Sequence, residues 1–146
     1  MELITRLDRW FAARLEPLRC GTDTKAYVTG VLSGIKADDL FGQRDSIVLA
    51  FHEAKMTGDF VEFQRIGDWV LWVDSMHPAF IADHHDVIES IGRMSYYACH
   101  RIMRGQWRLY EELADDLPAI VYQVRKAVPH GLGPAATTSL GNPLKR

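Results

Sequence analysis

The chain has 146 residues, of which 47% are apolar and 25% charged, and its formal net charge is −2. This length and composition are typical of one globular domain with a single hydrophobic core. The missing basic excess argues against nucleic-acid binding, because neutralised phosphates supply most of that affinity. The apolar run WVLWV at 69–73 is far shorter than the roughly 20 residues that span a bilayer. We therefore expect no membrane span.

The two cysteines, Cys20 and Cys99, form neither a disulfide framework nor a CxxC motif. Reduced thiols of this kind are typical of cytosolic proteins. The first segment, MELITRLDRWFAARLEPL, carries charges throughout, unlike the apolar core of a secretion signal. These features together predict a cytoplasmic protein.

The first segment has a helical period. Its apolar residues recur at steps of three and four and therefore share one stripe. This stripe consists of Leu3, Ile4, Leu7, Phe11 and Leu15. We expect the helix to stop at Pro17, because proline interrupts helical hydrogen bonding.

A second helix is predicted over TKAYVTGVLSGIKA, residues 24–37. A seam of small residues that includes Gly30 and Gly34 runs beside its apolar stripe. Glycine inside a helix costs about 1 kcal/mol relative to alanine. We therefore interpret the seam as a place where another helix of the bundle packs closely, with a dimer contact as the alternative.

The third and fourth predicted helices are separated by a turn. The third covers about Asp45 to Thr57 and ends before Gly58, a typical residue after a helix. Asp59 and Glu62 form an acidic version of the capping box for the fourth helix. That helix is apolar nearly all round, which indicates the central helix of a bundle.

Two further helices complete the pattern. The fifth is predicted from Asp83, as N-cap, to about Arg104, and the sixth from Gln106 to about Val128, with a kink at Pro118. We therefore predict an all-α fold, a single-domain bundle of about six helices in residues 1–128. The Gly/Pro-rich residues 129–146 are predicted to form a flexible tail.

A cluster of histidine and acidic residues occupies HPAFIADHHDVIE, residues 77–89. A carboxylate-bridged centre in a bundle needs Glu-x-x-His motifs, and the sequence contains none. The preferred interpretation is a capped helix start followed by a solvated face, and we expect no cofactor. If a metal site exists, its ligands are Asp74, His77, His85 and Glu89.

Asp68 and Asp74 flank the apolar WVLWV segment, and carboxylates are rarely buried unless they are paired. One interpretation is that each is hydrogen-bonded to a helix end or to an arginine. The alternative is a ligand pocket made by Asp68, Trp69 and Trp72, in which burial raises the pKa of the acid.

The fifth predicted helix also offers a surface for a protein partner. Helical projection places Tyr96 on its polar side and Tyr97 on its flank, and exposed tyrosine is typical of interfaces. The predicted partner-binding residues are Trp10, Arg93, Tyr96, Tyr97, His100 and Arg104.

Three stretches carry a resemblance to a known pattern. IGDWVLWVDSMHPAF, IESIGRMSYYACHRI and YEELADDLPAIVYQV contain Gly-Asp-x-x-Leu, Gly-x-x-Ser-x-Tyr and Glu-Leu-Ala motifs in succession. This order resembles a family of uncharacterised bacterial all-helical proteins over residues 45–128. The resemblance implies a helical fold and no known activity or catalytic residue.

These features favour a non-catalytic interaction or regulatory protein that acts through helix faces, with a protein partner or as a homodimer. The alternative is a small metal- or ligand-binding bundle with oxidoreductase or hydrolase activity, which would use Asp68, Asp74 and the histidines. A shared cavity lined by these side chains would favour the alternative.

Overall fold

The computed structural model describes residues 2–34, 47–104 and 107–128. Within these ranges the chain forms six α-helices, one 3-10 helix and no β-strand, which confirms the predicted all-α fold. The elements are α1 (Glu2–Arg14), α2 (Thr22–Gly34), α3 (Ile47–Thr57), α4 (Phe60–Met76), a 3-10 helix (Pro78–His84), α5 (His85–Ile102) and α6 (Leu109–Ala127). The predicted tail, residues 129–146, lies outside the described residues.

Helix α4 lies at the centre of the bundle, as its composition predicts. It packs against α2, α3, α5, α6 and the 3-10 helix, whereas α1 packs chiefly on α2. Val70, Leu71 and Val73 are completely buried, and both tryptophans of this helix are buried as well. No helix in the described part of the chain is long and apolar enough to cross a membrane.

The turn between α3 and α4 follows the predicted chemistry in most details. Gly58 has a φ of +66°, and its N–H donates to the carbonyl of Ala54 at 2.7 Å. The carboxylate of Asp59 caps α4 by accepting from the N–H of Val61 at 3.0 Å. Glu62 does not complete a capping box; it pairs with an arginine one turn later.

The start of α5 differs from the prediction. Asp83 is exposed and is not the N-cap; His84 occupies that position and makes no side-chain cap hydrogen bond. The preceding residues form a 3-10 helix instead, which buries Phe80 and Ile81 against the core. This tighter turn carries the chain past Asp83 before the α-helix begins.

Helix α6 continues through Pro118, which lies on its exposed side. The apolar residues before and after the proline stay buried, so the stripe keeps its phase. Two residues after the end of α5, Arg104 has a φ of 56°, which is in the left-handed region and turns the chain away from the helix. The predicted terminator of α5, Gly105, lies outside the described residues.

Close helix packing occurs at glycines other than those in the α2 seam. A Cβ added to Gly67 would lie 2.7–2.9 Å from three ring atoms of Tyr96, and one added to Gly92 would lie 2.6 Å from Val70. At Gly30 and Gly34, no atom of the described residues lies within 4 Å of an added Cβ. The interpretation of the seam as tight packing inside the bundle is therefore wrong; α4 and α5 make the close approach.

Two glycine substitutions are expected to change stability in opposite directions. Gly67→Ala should lower the free energy of unfolding by about 1–3 kcal/mol, because the fully buried ring of Tyr96 has no free space to move into. Gly30→Ala should raise it by about 0.5–1 kcal/mol, because it adds helix propensity in open space. Urea denaturation of both variants measures this difference, and a Gly67→Ala variant as stable as the wild type would contradict the packing.

Candidate functional site

Asp68 joins three helices through hydrogen bonds. The hydroxyl of Tyr27 on α2 donates to its Oδ1 at 2.7 Å, and the hydroxyl of Tyr96 on α5 donates to the same atom at 2.8 Å. The other carboxylate oxygen, Oδ2, accepts no hydrogen bond from any described residue. Oδ1 therefore joins α2 and α5 to α4, whereas Oδ2 has no donor within the described ranges.

A third tyrosine extends this cluster to α6. The hydroxyl of Tyr110 accepts a hydrogen bond from Gln64 Nε2 at 2.8 Å. The ring centroids of Tyr27 and Tyr110 are 5.8 Å apart, and those of Tyr27 and Tyr96 are 6.4 Å apart, both in edge-to-face geometry. We call Tyr27, Gln64, Asp68, Tyr96 and Tyr110 the tyrosine cluster; it places hydrogen-bonded polar groups where α2, α4, α5 and α6 meet.

Burial controls the electrostatics of this cluster. It raises the pKa of Asp68 to about 6, and the two tyrosine hydrogen bonds only partly oppose it. Burial and the charge of Asp68 raise the pKa of Tyr27 and Tyr96 well above the usual value, so both remain neutral donors. The same two causes raise the pKa of the Cys99 thiol to about 12, which makes it a poor nucleophile at neutral pH.

Asp68 lies at the edge of an open depression of about 410 Å³ between α2 and α4. On α2 the small residues Ala26, Gly30 and Gly34 line this space, and on α4 Gln64 and Asp68 line it. We call it the α2–α4 groove. Asp68 is the one charged residue among the described residues that line it.

Of the three residues of the predicted ligand pocket, only Asp68 is among the residues that line the α2–α4 groove. Trp69 and Trp72 are buried and do not line the groove. The ring of Trp72 instead packs against His77, with centroids 5.1 Å apart, and burial lowers the pKa of His77 to about 4. Two tyrosines from other helices, Tyr27 and Tyr96, contact Asp68 in place of the predicted tryptophans. A one-dimensional projection of α4 contains no signal for Tyr27 or Tyr96, because those residues approach from α2 and α5.

Most of the predicted partner-binding surface is engaged inside the molecule. Tyr96 is fully buried, so its predicted exposure is wrong. Arg93 Nε donates to the carbonyl of Ala114 at 2.8 Å, and the hydroxyl of Tyr97 donates to Asp115, which ties α5 to α6.

Of the other predicted partner residues, Trp10 and His100 are partly buried and Arg104 is exposed. His100 Nε2 lies 3.9 Å from Glu111 Oε2, so this residue also faces α6. Trp10 is half-buried on α1, where the guanidinium of Arg14 lies 4.7 Å from its ring centroid. Arg104 is exposed at the end of α5. These residues do not form the continuous exposed face that the projection of α5 predicts.

The predicted metal ligands are brought together in part. Ligand atoms of Asp74, His85 and Glu89 all lie within 4.8 Å of one another, but His77 is not part of the group. Asp74 is almost fully buried and forms an ion pair with Arg125 of α6. Asp74 is therefore bonded to an arginine, as one of the two interpretations of the sequence predicts. It is not among the described residues that line the depression at Asp68.

A larger depression of about 600 Å³ lies between the N-terminal ends of α2 and α6 and has an acidic wall. Two of its carboxylates bind other parts of the fold. Glu112 accepts from the hydroxyl of Thr24 at the start of α2, and Asp115 accepts from Tyr97. These contacts indicate a structural role for Glu112 and Asp115.

No protein-family model matches the chain, and comparisons with curated proteins and with solved structures find no match. The function is therefore inferred from the geometry of the tyrosine cluster and the α2–α4 groove.

The buried carboxylate predicts a pH dependence. Because the pKa of Asp68 is about 6 in the folded chain and 3.8 in the unfolded chain, the folded state retains its proton between these values. Because the folded state holds this proton more tightly than the unfolded state does, protonation of Asp68 stabilises the fold. The stabilisation is fully present below about pH 4 and is lost as the pH rises through about 6. Asparagine at this position has no such loss. The free energy of unfolding of Asp68→Asn relative to wild type should therefore increase by up to about 3 kcal/mol from pH 4 to pH 7.

Urea denaturation at several pH values measures this difference, and Asp83→Asn, at an exposed position, controls for the loss of one carboxylate. A difference between Asp68→Asn and wild type that stays constant with pH would contradict the raised pKa.

Proposed function

We propose that this chain is a non-catalytic interaction module that receives a helix of another protein in the α2–α4 groove. The observation that carries the proposal is the Oδ2 of Asp68, which accepts no hydrogen bond from the described residues and lies beside the open seam of Gly30 and Gly34. The groove thus offers one specific polar contact and a surface to which a second backbone has close access.

The shape of the groove favours a protein over a small molecule. Small-molecule sites enclose 70–90% of a drug-sized ligand. The α2–α4 groove is open along the surface and is bordered by helix backbone at two glycines. A helix laid along such a groove buries its own face without requiring an enclosed cavity. Asp74, which the alternative enzyme would use together with Asp68, is not among the described residues that line this groove.

The seam on α2 gives the partner a close approach. Ala26, Gly30 and Gly34 follow one another at four-residue steps, so they lie on one face of the helix. Small residues at this spacing let two helix backbones come near each other. Because glycine lowers helix stability, an exposed pair in the middle and at the end of α2 is explained by contact with a second helix.

The chemistry of the lining defines the partner. Asp68 is the one charge among the described lining residues, and its Oδ2 accepts no hydrogen bond from the described part of the chain. A lysine or arginine from the partner supplies the missing donor and neutralises the carboxylate. A charged hydrogen bond of this kind contributes about 1.5–3 kcal/mol.

A second copy of the chain fits this surface less well. A twofold interface brings the same patch of both subunits together. The groove would then place one Asp68 near another, with no basic residue among the described lining residues to compensate. We therefore favour a different protein with a basic residue on its contact helix. The two free cysteines fit a cytoplasmic setting for this module.

Site-specific photo-crosslinking in the cells that make the protein tests the proposal. A photoreactive amino acid replaces Ala26 in the groove, and in a matched variant it replaces Ala119, an exposed residue of α6 outside the groove. The expected result is an adduct with a single other protein from position 26 and not from position 119. Mass spectrometry identifies the crosslinked peptide, which should contain lysine or arginine.

Two further substitutions make this result specific. Asp68→Asn keeps an oxygen for both tyrosines but turns the Oδ2 position into a donor, so the affinity should fall roughly 10-fold or more. Gly30→Leu fills the groove and should also reduce the adduct, whereas Gly30→Ala should reduce it less. Equal adducts from positions 26 and 119, an adduct insensitive to Asp68→Asn, or an adduct with a second copy of this chain would each overturn the proposal.

A further inference from the structure

A histidine and two carboxylates converge where α4 meets the start of α5. His85 Nε2 lies 3.2 Å from both Asp74 oxygens and 3.8 Å from Glu89 Oε2. In a tetrahedral Zn²⁺ site with metal–ligand distances near 2 Å, neighbouring ligand atoms are about 3.3 Å apart. The distances from His85 Nε2 to the two carboxylates, 3.2 and 3.8 Å, are close to that value, and all three ligand atoms lie within 4.8 Å of one another. From this geometry we infer that Asp74, His85 and Glu89 form a binding site for one divalent transition-metal ion of the Zn²⁺ type.

The local fold places these ligands in register. Asp74 lies in the last turn of α4, and the 3-10 helix Pro78–His84 then reverses the chain. His85 and Glu89 are four residues apart in the first turns of α5, so they share a face. The sequence suggested His77 as a further ligand, but its ring packs on Trp72 instead.

Neighbouring side chains orient two of the ligands. Arg125 Nε donates to the carbonyl of Asp74 at 2.8 Å, and its terminal nitrogen pairs with Asp74 Oδ1. Both carboxylate oxygens of Asp74 lie 3.2 Å from His85 Nε2. On the other side of the ring, Asp86 Oδ1 lies 3.5 Å from His85 Nδ1, where a carboxylate can hold the orientation of the ring. These contacts are typical of the residues that surround a metal–histidine unit.

The three ligands differ in their exposure to solvent. Asp74 is 1% exposed, whereas the side chains of His85 and Glu89 are 36% and 22% exposed. The buried carboxylate is fixed, and the other two ligands face the solvent from which an ion enters. Three protein ligands leave one position of a tetrahedral ion open to water or to a further ligand.

A proton is the competitor of the metal at this site. Arg125 also pairs with Asp74, so the ion would compete with a positive charge for this carboxylate. Histidine binds a metal ion through an unprotonated ring nitrogen, so the binding test is made at a mildly alkaline pH. None of these residues lines the α2–α4 groove, so the site is independent of the proposed function.

Calorimetric titration of chelator-treated full-length protein with Zn²⁺ at about pH 8 tests this inference. The expected result is one Zn²⁺ per chain. His85→Gln and Glu89→Gln should each weaken binding at least about 10-fold, since each removes one of three ligands. His84→Gln is the matched control, because His84 is the exposed neighbour of His85 and is not part of the cluster. Circular dichroism confirms that each variant remains helical.

Visible absorption of the Co²⁺-loaded protein gives a second readout. A four-coordinate site with one nitrogen and two carboxylate ligands should produce bands that disappear in His85→Gln and persist in His84→Gln. The inference is overturned if Zn²⁺ fails to bind stoichiometrically. It is equally overturned if His84→Gln and His85→Gln weaken binding by the same factor, which would indicate adventitious binding to surface histidines.

Discussion

The ring of Tyr96 packs directly on the backbone of α4 at Gly67, where any side chain would collide with it. This contact sets the separation of α4 and α5 and brings the tyrosine hydroxyl to Asp68, the next residue of α4. Burying a carboxylate costs free energy unless hydrogen bonds compensate it, and Tyr96 supplies one. Tyr27 supplies the second donor from α2. The spacing of α4 and α5 and the hydrogen bonding of Asp68 therefore depend on the same contact. A side chain at Gly67 would push Tyr96 away, and Asp68 would lose one of its two donors.

The same constraint creates the surface on which the proposed function depends. The hydrogen bond from Tyr27 to Asp68 holds α2 against α4. The small residues of α2, including Gly30, then line the groove between the two helices. Among the described residues, both donors to Asp68 bond to Oδ1, and we propose Oδ2 as the contact for a partner. Burial raises the pKa of this acid to about 6, so it is mostly ionised at neutral pH yet poorly hydrated. Such a group gains from a cationic partner more than an exposed carboxylate does.

Sequence reasoning predicted the elements better than the site. Local rules, such as the cap at Asp59 and the left-handed turn at Gly58, were sufficient because each depends on a few adjacent residues. Projection of α5 failed for Tyr96 because it assumes that a polar-side residue faces water, whereas a glycine on another helix makes room for the ring. The seam at Gly30 was predicted to pack against another helix of the bundle, but no described residue lies close to it. The spacing of small residues shows that a helix surface is flat but does not show what lies opposite that surface.

The protonation of Asp68 is the most direct test of this account. Carboxyl ¹³C chemical shifts of protein labelled at aspartate, followed through a pH titration by NMR, give its pKa, and Asp68→Asn assigns the signal. We predict a pKa of about 6, because burial outweighs the two tyrosine hydrogen bonds. A value near the ordinary 3.8 would show that water reaches the carboxylate freely. It would contradict a buried junction between Tyr27, Asp68 and Tyr96.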